Sequence, residues 1–429
     1  MNVPAGTLAA AMWLTSGLAG AEEFKFDASE FEKKTFEFSG YVEQKEEGLR
    51  LRDGTPSYRL AYPGGADRTW LARSTSTLDV AGKLNLDPLV ADLRLQSSYA
   101  SDPLVNATSN PKVMEGGVRW SAGPGLSFDA GKRVKRWGKG YAWTTVGFVE
   151  RPKDSSDPTA AREGFEMASV EWTKSLGGPI STIGFTGLIV PTNDGMNASF
   201  GQARHLNPAA KLYLLAMDTD IDFMWRGKGA KPQSYGVDFS RNINTALEVH
   251  GEWSRTLDAS RTTVSASGVS NSRTTDYTSW LLGIRYLTQG EVTWIGEYYR
   301  NGSGYGAGEL GDYYQFLDTA LAPNAPSTLV NKARGVAQSG YGKPNPGRDY
   351  LYVKASISEP FNWLYGAASL AAMASLNDGS WQITPEVSYT GFTGIELRAR
   401  VIVLGGQPNT EFGEKLSSSR LELTARIFF

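Results

Sequence analysis

The sequence predicts an all-β fold, a transmembrane up-and-down antiparallel β-barrel of about 18 strands, with about 16 as the alternative. Three observations predict it. Apolar and polar side chains alternate from Thr35 onward, long and short connections follow one another, and the chain ends in an amphipathic segment that closes on Phe429. Because a strand has a side-chain period of two, each alternating segment has one apolar and one polar face.

The terminal strand shows this pattern clearly. In a membrane barrel its apolar face meets lipid and its polar face meets the lumen. We expect it to pair with the first strand, which removes both sheet edges. The apolar face holds Leu421, Leu423, Ala425, Ile427 and Phe429, and the other holds Arg420, Glu422, Thr424, Arg426 and Phe428.

The chain begins with a predicted signal peptide over 1–21. A short apolar run from Leu8 to Leu18 precedes an A-x-A site that ends at Ala21. Residues 22–34 are predicted as a short periplasmic helix because Asp27 and Glu30 have capping-box spacing, with a disordered lead-in as the alternative.

The remaining residues, 35–429, are predicted to form the barrel. Their alternating segments have about the length that a tilted strand needs to cross a membrane. The predicted strands are 35–44, 73–84, 90–100, 112–121, 126–137, 165–175, 179–190, 208–217, 219–228, 233–242, 245–256, 277–288, 291–301, 349–358, 362–376, 380–390, 394–405 and 417–429.

Connections of two kinds separate these segments. Short ones such as 85–89 and 176–178 carry the Gly, Pro, Asn and Asp residues of tight turns. A barrel with short periplasmic turns and long outer loops has this alternation, and an even strand count places both termini on one side. In the longest connection, 312–317 is predicted as a short helix over the mouth, with a mobile outer loop as the alternative. The longer loops are 45–72, 101–111, 138–164, 191–207, 257–276 and 302–348.

Composition excludes several kinds of function. The absence of cysteine excludes disulfides, thiol catalysis and thiolate-held metal. A formal net charge of −2 argues against a nucleic-acid partner. We predict no cofactor and no enzymatic activity.

The polar strand faces predict a charged lumen wall with residues of both signs. Strong ion selectivity does not follow from such a wall. The predicted pore-lining residues are Asp92, Arg94, Glu115, Arg119, Arg133, Lys135, Glu171, Asp222, Arg226, Glu248, Glu252, Arg285, Glu297, Glu396, Arg398, Arg400, Glu422 and Arg426.

Two features of this wall have two interpretations each. The basic run from Lys132 to Arg136 either attracts anions or pairs with neighbouring Glu115, Asp129 and Glu171. The loop 138–164 either folds inward and narrows the channel or stays exposed on the cell surface. Its candidate constriction residues are Tyr141, Trp143, Arg151, Lys153 and Asp154.

Histidine chemistry has one candidate. His250, flanked by Glu248 and Glu252, could serve a hydrolase triad, but a polar filler of the lumen is the alternative.

The aspartates at 218, 220 and 222 resemble a calcium cluster but lack the later ligands of an EF-hand, so a solvated turn is the alternative.

The whole predicted mature chain resembles single-chain Gram-negative outer-membrane porins. Within that class it is most similar to the eighteen-stranded alginate-export-like families. The residues that carry the resemblance are the terminal Ile427-Phe428-Phe429 and the run from Gly131 to Gly140, which contains Trp137-Gly138. The resemblance implies an outer-membrane location and recognition of Phe429 by the barrel-assembly machinery.

It also implies passive passage of a small hydrophilic solute or a polysaccharide through a monomeric barrel surrounded by outer-membrane lipid. Two other classes of protein stay open. One is a barrel that serves as the sheath or exit duct of a larger secretion or electron-conduit complex. The other is an outer-membrane hydrolase that uses His250.

Overall fold

Eighteen strands join edge to edge into one closed antiparallel sheet in the computed structural model, which describes residues 34–63, 68–102, 105–201 and 203–429. The predicted fold class and strand number are therefore confirmed. The predicted signal peptide and nearly all of the predicted helix at 22–34 lie outside the described residues. The strands are β1 Phe36–Leu51, β2 Trp70–Leu86, β3 Leu89–Asp102, β4 Val105–Gly123, β5 Leu126–Arg133, β6 Phe165–Ser175, β7 Ile180–Ile189, β8 Pro208–Ala216, β9 Thr219–Arg226, β10 Ser234–Asn242, β11 Leu247–Val264, β12 Ser270–Leu287, β13 Thr293–Arg300, β14 Asp349–Ser358, β15 Gly366–Ser375, β16 Trp381–Phe392, β17 Ile395–Gly405 and β18 Ser417–Phe428.

The barrel closes between β1 and β18, as the terminal strand predicts. Tyr41 lies opposite Phe428, and the register continues to the other ends of both strands. The chain terminus adds one more pair, because Gly40 N donates to Phe429 O at 2.9 Å and Phe429 N donates to Gly40 O at 3.0 Å. We call this end of the barrel, which carries the short connections, the turn end, and the opposite end the loop end.

Gly40 allows this close approach. A Cβ atom at Gly40 would lie 2.6 Å from the carbonyl oxygen of Asp79 and 2.7 Å from the Phe429 ring. We expect Gly40→Ala to lower the free energy of unfolding by about 1–3 kcal/mol, because the closing strands must shift. Gly48→Ala on the same strand is the control, since a Cβ there meets no atom within 4 Å. Equal effects of the two changes on urea unfolding would contradict this account.

The outward face of the barrel is mainly apolar. Leu93, Leu423 and Ile427 are 48%, 50% and 53% exposed there. Aromatic side chains border this belt, with Trp363 near the turn end and Trp381 near the loop end, as membrane barrels arrange them. A polar patch interrupts the belt, in which the side chains of Gln44, Glu46, Ser74 and Ser76 hydrogen-bond to one another.

In the described part of the chain, no helix is long and apolar enough to cross a membrane. The described α-helices lie in connections at the loop end, and they are α1 Pro56–Ala61, α2 Ala307–Ala320 and α3 Ser327–Ala337. One 3-10 turn, Gly340–Gly342, lies at the same end, and another, Pro360–Asn362, lies in the short connection after β14 at the turn end.

Several predicted loops are shorter than expected, because strands continue into them. Parts of 45–72, 101–111 and 257–276 belong to β1, β4 and the β11–β12 hairpin. The residues there are largely polar, yet the hairpins continue because pairing satisfies their backbone groups. Conversely, the predicted strand 126–137 ends at Arg133, where the chain leaves the wall.

The helix expected at 312–317 is present within α2, whereas α1 and α3 were not predicted. Tyr313, Phe316 and Leu317 of α2 pack in a buried cluster with Tyr305 and Tyr341. Arg261 of β11 donates to Glu309 at the start of α2, with an Nη2–Oε2 distance of 2.6 Å. Burial and this ion pair fix the helix on the barrel, which its sequence alone does not indicate.

Candidate channel lumen

The connection between β5 and β6, residues 134–164, folds into the barrel, and we call it the inward loop. Glu252 of β11, which is not a neighbour of β5 or β6 in the sheet, anchors it. One of its carboxylate oxygens accepts from the backbone N atoms of Lys139 and Gly140, both at 2.7 Å. The other accepts from the backbone N of Thr145 at 2.5 Å and from the Thr144 hydroxyl at 3.0 Å. Of the two predicted positions for this loop, the structure therefore has the inward one.

Glu297 of β13 is a second anchor and is 1% exposed. Its Oε2 atom accepts from Ala142 N at 2.8 Å, and its Oε1 atom accepts from Tyr141 N. His250 Nε2 lies 3.0 Å from Glu297 Oε1. Hydrogen bonds to a charged acceptor contribute about 1.5–3 kcal/mol each, so the two carboxylates together hold the loop firmly against β11 and β13.

A third attachment joins the loop to β17. Asp157 lies 3.0 Å from Arg400 and 3.8 Å from Arg398, measured between carboxylate oxygen and guanidinium nitrogen. Burial alone would raise the pKa of Asp157, but Arg400, Thr159 and Arg398 together outweigh burial and hold that pKa below its usual value. The inward loop thus spans the lumen between walls that lie far apart in the sequence.

Aromatic packing fixes the middle of the loop. The Trp143 ring stacks on Tyr299 with centroids 5.2 Å apart and lies 5.7 Å from the Tyr350 ring. Its indole Nε1 donates to Asn345 Oδ1 at 3.0 Å, which connects the inward loop to the connection between β13 and β14. Tyr141 completes this region, because its hydroxyl accepts from Lys354 Nζ at 2.8 Å.

The other three predicted constriction residues lie at different places. Lys153 Nζ donates to the carbonyl oxygens of Gly140 and Tyr141, so it braces the loop internally. Arg151 lies 3.3 Å from Glu163, and Asp154 is exposed and accepts from Ser156 N at 2.9 Å. Tyr141, Trp143 and Lys153 are thus brought together, whereas Asp154 is not part of that group.

The basic run after Gly131 is largely neutralised by carboxylates. Arg133 lies 2.7 Å from Asp129 and 2.5 Å from Asp92, and Lys135 lies 2.6 Å from Glu171. Asp129 Oδ2 also lies 3.0 Å from Arg119 Nη2, and Asp129 is only 3% exposed. These contacts favour the pairing interpretation over a free basic ladder.

Further predicted residues lie on the inward face, mostly in ion pairs or hydrogen bonds. A role in permeation stays a prediction for all of them. Arg94 pairs with Asp79, Arg426 with Glu43 and Glu396, Arg400 with Glu386 and Glu422, Arg285 with Glu248, and Asp222 with Lys139 and Lys211; Glu115 accepts from Val134 N, and Arg226 donates to backbone carbonyls.

Asp129, the centre of the cluster around Arg133, is predicted as a partner of the basic run but not as a pore-lining residue. Two other central residues are not predicted at all. Asn345 and the buried Glu150 are in connections, where no periodicity marks an inward position. Burial raises the pKa of Glu150 to about 6 although Arg162 opposes this effect.

His250 has neighbours that do not form a triad. Its ring nitrogens face Glu297 and Glu248, and no serine or threonine hydroxyl hydrogen-bonds to it in the part of the chain that the structure describes. Among the same residues, no group of three His, Asp or Glu side chains could hold a metal ion. Asp222 instead binds two lysines, and Asp220 accepts from Tyr213.

A cavity of about 310 Å³ lies at the loop end, between the inward loop and the parts of β9 to β13 that are nearest the loop end. Thr144, Thr145 and Phe148 of the loop border it on one side, and Arg226 and Ser234 on the other. Lys231 reaches it from the β9–β10 connection. Burial, together with Arg226 and Lys343, lowers the pKa of Lys231 to about 7.

No protein-family model matches the sequence, and a search of curated proteins finds no match. Solved structures of bacterial porins do align with it. A triple mutant of the Rhodopseudomonas blastica porin covers 92% of this chain and 100% of its own, at 10% identity and a TM-score of 0.44. Pseudomonas aeruginosa OccD3 (OpdP) covers 91% of each chain, at 9% identity and a TM-score of 0.47. Values this low carry no function across, and the similarity to alginate-export-like families stays a prediction.

Proposed function

We propose that this protein is an outer-membrane channel through which a hydrophilic solute diffuses past a constriction. The observation that carries the proposal is the inward loop, which Glu252, Glu297 and Arg400 hold across the interior of a closed barrel. A loop fixed to three parts of the wall narrows the passage without moving during each transport event.

The apolar outward belt with aromatic borders supports the membrane location. The short connections would face the periplasm and the loop end would face the medium, as in barrels with short periplasmic turns.

The inner wall supports a preference for polar solutes without a strong preference for one sign of charge. Most of its charges are paired, and the pairs expose both kinds of group to the lumen. The Arg119 and Arg285 side chains are 47% and 59% exposed, while those of Asp92 and Glu171 are 30% and 34% exposed. Such a wall solvates a hydrophilic solute as water would and disfavours an apolar one.

Planar-bilayer recording tests the proposal. The purified barrel, reconstituted alone in potassium chloride, is expected to give stable single-channel steps, with a small conductance because the loop occupies part of the lumen. Heat-denatured protein from the same preparation is the control. If the folded barrel gives no steps in repeated insertions, the channel proposal is wrong.

A further inference from the structure

The cavity at the loop end has a strong excess of basic groups. The charged side chains that line it include five cations and one carboxylate. The carboxylate and one of the cations are neutralised by partners outside the lining, since Glu150 lies 2.5 Å from Arg162 and Arg151 lies 3.3 Å from Glu163. The lining cations are Arg151, Lys153, Arg226, Lys231 and Lys343.

Three of the cations have no carboxylate partner within 4.0 Å among the described residues, namely Arg226, Lys231 and Lys343. Arg226 is 7% exposed, and its guanidinium donates only to neutral groups, the carbonyl oxygens of Phe148 and Pro232 and the Ser234 hydroxyl. Lys153 differs, because the carboxylates of Glu252 and Glu297 act on it electrostatically. A buried cation without a counter-charge is costly, so the cavity favours an anion that enters it.

The rest of the lining indicates what kind of anion fits. A row of hydroxyl groups from Ser234, Ser254, Thr256 and Ser279 covers the wall side, and these residues are at most 5% exposed. Hydroxyls both donate and accept, so they match a ligand that itself carries hydroxyl groups. The volume of about 310 Å³ is at the low end for small-molecule sites.

We propose that this cavity is a binding site for a small organic anion that carries hydroxyl groups, with Arg226, Lys231 and Lys343 as its charge-recognising residues. This site adds a solute-binding step to the proposed channel function and rests on that function, because the cavity would capture the solute at the outer entrance. The rest of the lumen wall does not supply this selectivity, because its charges are mostly paired. The unpaired cations of the cavity supply it.

The test uses gluconate as the anionic probe and glucose as its neutral counterpart. Isothermal calorimetry on the detergent-solubilised barrel should show saturable binding of gluconate and none of glucose. Lys231→Gln with Lys343→Gln should weaken gluconate binding at least about 10-fold, the change expected from losing charged hydrogen bonds. In the bilayer, gluconate added on the loop side should reduce the chloride current of the wild type with the same concentration dependence.

Lys228→Gln with Lys332→Gln is the matched control, because it removes two lysines from the same two connections without altering the cavity lining. It should bind gluconate like the wild type. Equal binding of glucose, or equal weakening by both double variants, would overturn the site. Since calorimetry needs no current, a barrel that binds gluconate but gives no conductance steps would contradict the channel and leave the site intact.

Discussion

Replacing Glu252 and Glu297 together with alanine is expected to enlarge the single-channel conductance. The two carboxylates accept the backbone N–H groups of five residues of the inward loop, and each hydrogen bond to a charged acceptor contributes about 1.5–3 kcal/mol. Without them the central part of the loop has no polar anchor on β11 and β13. We expect it to leave the lumen, and single-channel recording would measure the larger step.

The control for this change is Glu248→Ala with Glu396→Ala. These carboxylates also lie on the inward face and are 26% and 24% exposed, but their ion pairs are with wall residues and not with the loop. The control removes the same formal charge, so any difference between the two double variants reports the loop. If both give the same step as the wild type, the inward loop does not limit conduction.

Asp129→Asn should lower the free energy of unfolding by about 3 kcal/mol, the lower end of the range for a broken buried ion pair. Asp129 faces three cations, and the side chains of Arg133 and Lys135 are 9% and 11% exposed. Asparagine keeps the shape but removes the charge that these cations share. Urea unfolding of the folded barrel in lipid would measure the loss.

Asp92→Asn provides the comparison, because the Asp92 carboxylate contacts the same Arg133 but is 30% exposed. An ion pair this exposed contributes about 1 kcal/mol or less. We therefore expect Asp129→Asn to lower the free energy of unfolding clearly more than Asp92→Asn does. Equal losses would show that Asp129 is not the centre of the cluster.

The strands could be predicted because the membrane imposes one rule along the whole barrel. Lipid on one side and a polar lumen on the other give each strand a period of two, and Leu421 to Phe429 show it as clearly as any segment. The same rule predicted inward positions such as Glu252, Glu297 and Arg400. It fails beyond the apolar belt, where β11 and β12 continue as a polar hairpin, and in connections such as α3.

The partners of those inward residues could not be predicted. Glu252 and Gly140 are separated by 112 positions, and Arg400 and Asp157 by 243. Only the circular order of the strands brings them together. The excess of unpaired cations at Lys231 and Lys343 is likewise invisible in the sequence, because pairing depends on which carboxylates come within reach.

The sequence by itself determined that the chain forms a closed barrel with an apolar outside and a charged inside, because alternation and terminal pairing are local properties. The tertiary structure decided what occupies the inside. Whether the loop after β5 turned inward depended on acceptors that β11, β13 and β17 supply. The physical reason is that backbone N–H groups buried where a loop packs on the wall need acceptors in place of water, and only the folded barrel brings Glu252 and Glu297 to them.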